Sequence, residues 1–155
     1  ALDRASGDLL AHIAVGTGPL GASATRDGAR VLVACHNANC IAVIDVERLA
    51  VEALIQTDAG PVQVTVTPDQ RFAYVANDGA GTVQKIDLSA RAVVARILIG
   101  ASAGSHGIAY APACGLMFVT NTGRASVSVI DVTTDRVLGE ISVGAAPEGV
   151  AFAPA

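Results

Sequence analysis

Three passages of the chain carry one pattern in different residues: "NCIAVIDVERLAVEALIQ" (39–56), "GTVQKIDLSARAVVARILIG" (81–100) and "ASVSVIDVTTDRVLGEISVG" (125–144). The Asp that closes the apolar run falls at Asp45, Asp87 and Asp131. An earlier copy ends at Asp3, so the spacings are 42, 42 and 44 residues. A second landmark runs through Pro19, Pro61, Ser105 and Pro147, spaced 42, 44 and 42. Two independent landmarks with one period define an internal repeat, and the repeat constrains the fold more than any other feature of the chain. The two extra residues lie between Asp87 and Ser105, in "ILIGASAGSHG".

Each unit divides into four short β-type runs. In the second unit these are "VQVTVT" (62–67), "FAYVAN" (72–77), "TVQKID" (82–87) and "AVVARILIG" (92–100), separated by turn residues such as "PDQ" and "NDGAG". Four strands in short succession make an antiparallel meander, and a period near 42 residues is the size of one propeller blade. The runs lack the i, i+3, i+4, i+7 apolar spacing of a helical repeat. They are apolar at most positions, as expected where both faces of each sheet pack on neighbouring blades. The first run of each unit is rich in small residues ("LGASAT", "HGIAYA", "EGVAFA"), which suits strands crowded around an axis. The expected fold is therefore all-β, built of four-stranded antiparallel blades. The expected divisions are an outer strand of a preceding blade at 1–18, blades at 19–60, 61–104 and 105–146, and an inner strand of a following blade at 147–155.

That division gives fourteen strands and an open arc. A closed single-chain propeller needs at least four blades. An arc exposes two apolar blade faces, which is unfavourable by roughly 25 cal/mol per Å². The chain is expected to be an arc of a larger ring or a half-ring that associates with a second copy. It begins with Ala1 and shows no signal peptide, which fits a processed chain, an excerpt or an engineered half-ring.

Composition narrows the partners. Apolar residues make up 52% of the 155 residues, charged ones 15%, and the net charge is −4. A disordered chain has the opposite balance, and no Lys/Arg cluster is present to neutralise nucleic-acid phosphates. The apolar stretch "IAYAPACGLMFV" is broken by Pro112 and Gly115 and is too short to span a bilayer. The expected partners are a protein or the remaining blades of a ring, or a second copy, with neither nucleic acid nor a transmembrane segment.

"FAYVANDGAGTVQKIDLSARAVVARILIG" and "LMFVTNTGRASVSVIDVTTDRVLGEISVG" resemble the YVTN β-propeller repeat, whose second-strand motif stands here as "YVAN" (74–77) and "FVTN" (118–121). The resemblance covers essentially the whole chain. It implies a ring of about seven blades and an extracytoplasmic location, periplasmic or on the cell surface. It leaves activity open, because such repeats serve in surface proteins, binding modules and some redox or hydrolytic proteins.

Two places carry candidate chemistry. "CHNANC" (35–40) aligns with "NDGAGT" and "NTGRAS", the turn between second and third strands, with Cys35 matching Asn77 and Asn121 and Cys40 matching Thr82 and Ser126. Three readings stay open: a plain hairpin turn, a disulfide joining Cys35 and Cys40, or a metal site of Cys35, His36 and Cys40. The spacing fits no common zinc pattern, and Cys114 lies at the other end of its blade. The second place is the channel mouth, where Leu20, Val62, His106 and Glu148 begin the four first strands. His106 and Glu148 fall on adjacent blades, so an imidazole–carboxylate pair could bind a ligand, hold a metal or tune the His as a base. The alternative is that His106 caps the preceding insert by a hydrogen bond to a loop carbonyl. The family pattern has a Pro before this His, and Ser105 replaces it here. Asp45, Asp87 and Asp131 recur too regularly for catalysis and are expected to accept turn amides. His12 is expected to face solvent.

No CxxCH, Walker loop or HExxH occurs in the sequence. The leading expectation is thus a non-catalytic binding or scaffolding module with a ligand or partner at the mouth and no cofactor. The rival is part of a redox or hydrolytic propeller protein, with a metal or cofactor near the axial channel.

Overall fold

The computed structural model describes residues 1–153. Its twelve strands form three four-stranded sheets, each an antiparallel meander. The first blade contains β1 (Pro19–Ala24), β2 (Arg30–Cys35), β3 (Cys40–Asp45) and β4 (Ala50–Gln56). The second contains β5 (Pro61–Val66), β6 (Phe72–Asn77), β7 (Thr82–Asp87) and β8 (Ala92–Leu98). The third contains β9 (Ser105–Ala111), β10 (Leu116–Asn121), β11 (Ser126–Asp131) and β12 (Arg136–Ser142). In each, chain order is spatial order, and the inner strands β1, β5 and β9 lie side by side.

The two flanking strands expected at about 9–16 and 147–153 do not form. Residues 1–18 hold one isolated bridge, Leu2 with Leu9, and residues 147–153 hold no ladder. A strand exists through its ladder partner, and neither segment has the second or third strand of its blade beside it. Pro154 and Ala155, the last residues of the expected 147–155 strand, lie outside the described residues.

The core lies between blades. One cluster joins Leu32, Ile41, Val43 and Ile55 of the first blade to Val64, Val75 and Ile86 of the second. The next joins Tyr74, Val83 and Ile97 of the second to Ile108, Met117, Val119 and Ile130 of the third. Alternate side chains of a strand point to opposite faces. A middle blade therefore buries both sets, and its strands read as continuous apolar runs. The repeat makes the open face of the arc legible: Ile55 and Ile97 are each 4% exposed, while Ile141, the same position in the third blade, is 52% exposed.

The junctions carry different polar locks. Between the first and second blades, Glu52 holds Arg30 at 2.6 Å and Arg91 at 3.0 Å. Between the second and third, Lys85 Nζ lies 3.1 Å from the Asp135 carboxylate, and the Tyr74 hydroxyl donates to the same carboxylate at 2.9 Å. The Lys85 ammonium also stands 4.6 Å from the Phe72 ring centre. Burial, reinforced by Asp135, pushes the Tyr74 hydroxyl far above the ordinary tyrosine range, so it acts as a donor throughout the working pH range.

The recurring Asp residues are turn acceptors. Asp45 takes the amide of Arg48, Asp87 those of Ser89 and Ala90, and Asp131 that of Thr133; Asp3 takes those of Ala5 and Ser6. The Ser89 hydroxyl and turn amides hold the Asp87 carboxyl below its usual range; the Thr133 amide, then the Thr134 hydroxyl, do the same for Asp131. A folded pKa below the unfolded one stabilises the fold above the unfolded value and ceases to do so as pH falls through the folded one. Acid unfolding followed by circular dichroism should therefore begin below about pH 4 and shift to higher pH in Asp87→Asn and Asp131→Asn. An unchanged acid midpoint in both would contradict this.

Candidate functional site: the mouth of the axial groove

The end of the arc that carries the second-to-third strand turns also carries the starts of the inner strands. Each blade begins with a residue in the left-handed region, at Gly18, Gly60 and Gly104 (φ 65, 69 and 62°). The carbonyl of each accepts the first turn amide of the same blade, from His36, Asp78 and Thr122 at 2.8, 2.8 and 3.0 Å. Glycine supplies the positive φ at no steric cost, so the mouth is built on a repeated backbone lock.

Just inside this lock, each first-to-second strand ladder slips, between Pro19 and Ala22, between Pro61 and Gln63, and beside Val119 and Asn121. A bulge re-aims side chains that a regular ladder would hold flat. It sets His106 at the mouth. The amide of Gly107, freed by the bulge, donates to Thr120 Oγ1 at 2.7 Å, and that hydroxyl donates to the Glu148 carbonyl at 3.0 Å.

His106 Nδ1 lies 3.2 Å from the main-chain oxygen of Glu148. A carbonyl only accepts, so this contact calls for a proton on Nδ1, and in that tautomer of the neutral ring Nε2 is left as a lone-pair acceptor facing the mouth. The expected pairing with the Glu148 carboxylate is not what holds the ring: no ion pair joins the two among the described residues. Gly107 permits this approach, since a Cβ there would stand 2.3 Å from the same carbonyl.

Two adjoining cavities open here. One of about 320 Å³ is bounded by Gln63, His106, Ile108, Glu148 and Val150, and one of about 280 Å³ by Leu20, Val62, Gln63 and His106. His106 and Gln63 border both. Sequence alignment puts Val62 at the mouth, but its side chain is buried, and Gln63 takes the polar role because the bulge shifts the register. The signal was present in the repeat: the positions equivalent to Gln63 are Gly21, Gly107 and Gly149.

"CHNANC" divides differently from the expected turn. Cys35 ends β2 and Cys40 begins β3, both buried and directly paired in register; only residues 36–39 form the turn. His36 leaves the cysteines, its Cε1 lying against Gly60 of the next blade. Among the described residues no three His, Cys, Asp or Glu side chains converge as a metal-binding group. Cys114 is exposed in the turn after β9, and His12 is exposed. At the opposite end of the second-to-third blade junction, a cavity of about 340 Å³ is bounded by Phe72, Tyr74, Lys85 and Tyr110, the residues of the polar lock and their neighbours.

A model of the YNCE-like β-propeller family matches residues 1–154. No curated protein matches the chain. Among solved structures, Kuenenia stuttgartiensis hydrazine synthase superposes with a TM-score of 0.81 at 23% identity, over 90% of this chain and 41% of that one. A functionally unknown protein from Desulfotomaculum acetoxidans gives 0.72 at 20% identity, over 86% and 45%. Apo AztD from Citrobacter koseri gives 0.67 at 22% identity, over 86% and 37%. The chain thus spans less than half the length of these structures, and the likeness is one of fold.

Proposed function

Because the chain belongs to the YNCE-like β-propeller family, we propose that it is a non-catalytic binding or scaffolding arc outside the cytoplasm, completed by further blades or a second copy. Its ligand or partner docks at the mouth. The observation that carries this reading is the pair Gln63 and His106, shared by two adjoining cavities on one face. The imidazole is anchored through Nδ1 and offers Nε2; the Gln63 amide offers both a donor and an acceptor. Such a pair reads a polar group and needs no nucleophile. Completion is supported by Ile141, which repeats the buried Ile55 and Ile97 but faces solvent. No helix of the described residues is long and apolar enough to cross a membrane.

Amide NMR with a library of small polar fragments tests the site. The expected shifts centre on Gln63, His106 and Gly107, and the double variant Gln63→Ala/His106→Ala weakens those fragments about tenfold, as losing two modest hydrogen bonds should. Shifts centred on Phe72, Lys85 and Tyr110 would overturn the assignment. Turnover of activated esters, or a visible absorption band, lost in His106→Ala would favour the redox or hydrolytic alternative.

A further inference from the structure

The first blade differs from its sisters at one buried place. In the second blade, Asn77 at the end of β6 donates to Thr82 Oγ1 and Gln84 Oε1, both at 3.3 Å, and Thr82 donates to Asp58 at 2.7 Å. In the third, Asn121 donates to Ser126 at 3.0 Å and Ser128 at 2.8 Å. Each sheet is thus tied across its second and third strands by a buried side-chain hydrogen bond. The same positions in the first blade are Cys35, Cys40 and Ala42, with Gly16 in the place of Asp58. Every polar member of the tie is absent together.

What remains is a pair of thiols at registered positions, Cys35 0% and Cys40 2% exposed. Directly opposed residues on antiparallel strands have Cα atoms roughly 4.5–5.5 Å apart, within the range that a disulfide spans. The Cys35 thiol has only a weak contact with the Val33 carbonyl at 3.7 Å. Burial, with the neighbouring Cys35, pushes the Cys40 thiol above its ordinary range, as befits two sulfurs facing each other in a dry site. Val15 and Ala38 pack on the pair, and a Cβ on Gly16 would lie 2.9 Å from Cys35 Cβ.

We propose that Cys35 and Cys40 are a redox site, a cross-strand dithiol that closes to a disulfide and replaces, covalently and reversibly, the hydrogen-bonded tie of the other blades. The oxidant is a disulfide of the glutathione or thiol-oxidoreductase class. One protein thiolate attacks it, forming a mixed disulfide and releasing one thiolate. The second protein thiolate then attacks the bonded protein sulfur, forming Cys35–Cys40 and expelling the other thiolate. The two protons lost by the cysteines end on the two released thiols, so one disulfide is reduced as one forms. Val15 and Gly16 lie over the buried pair, so exchange proceeds through local opening at these residues, which also lets the thiols ionise. Cys114, exposed at the opposite end of its own blade, is the built-in single-thiol control.

The test equilibrates the full chain with oxidised or reduced glutathione, quenches with acid, and alkylates in denaturant before mass spectrometry. The expected oxidised form has Cys35 and Cys40 protected, a Cys35–Cys40 linked peptide about 2 Da lighter than the dithiol and a melting temperature about 5 °C higher. Cys35→Ala/Cys40→Ala should melt at the same temperature in both buffers. In Gly16→Ala, native-state alkylation of Cys35 should accelerate. Both cysteines still alkylated after oxidation, or a linkage running instead to Cys114, would overturn the proposal. Protection without any change in melting temperature would overturn its role as a tie.

Discussion

Asp135→Ala is expected to cost about 3 kcal/mol of folding free energy, because it leaves the half-buried Lys85 ammonium without its counter-charge. Both that ammonium and the buried Tyr74 hydroxyl then keep only the long contact to the Val132 carbonyl at 3.4 Å. The Lys85 and Asp135 side chains are only 13% and 23% exposed, and they belong to different blades. Their separation therefore loosens the second-to-third blade junction as a unit. The measurement is urea unfolding at fixed protein concentration, read as a shift in midpoint at constant slope. A loss below about 1 kcal/mol would place the pair with ordinary surface ion pairs. The first blade supplies the rescue: the position equivalent to Lys85 is Val43, packed in the neighbouring apolar cluster. Lys85→Val added to Asp135→Ala should recover much of the loss, since an apolar group leaves no buried charge behind.

Three isoleucines give the second large effect, and the contrast among them is its content. Ile55→Ala and Ile97→Ala each leave a void between packed blades and are expected to cost about 3 kcal/mol. Ile141 occupies the same place in its blade but is half-exposed, so Ile141→Ala should change the unfolding of an isolated chain by less than about 1 kcal/mol. Its effect should appear in association, as weaker contact with whatever covers the third blade. Equal losses at all three positions in a monomer would mean that the third blade is already covered from within the chain.

The repeat period made the blades legible because each blade is local, four strands within about 40 residues of chain. What escaped depended on structure that the period does not encode. The bulge after Pro61 moved the mouth position from Val62 to Gln63. Cys35 and Cys40 looked like turn residues because their sisters are the polar Asn77 and Thr82, yet those polar residues are themselves buried strand ends. His106 was located, but its partner is the Glu148 carbonyl rather than the carboxylate, a choice made by backbone approach at Gly107. The Tyr74–Lys85–Asp135 lock joins residues 50 and 61 apart in sequence, and only the packing of one blade on the next brings them together. The flanking segments had strand-like residues but no ladder partners, and residue type alone does not make a strand.

An arc of three blades must have its third-blade face, where Ile141 is 52% exposed, covered by another surface. Light scattering coupled to size exclusion, on the 155-residue chain at micromolar concentration, tests it directly. The expected result is a dimer or larger species that Ile141→Asp shifts toward the monomer. A monodisperse monomer of 15.5 kDa, unchanged by that substitution and stable to storage, would contradict it.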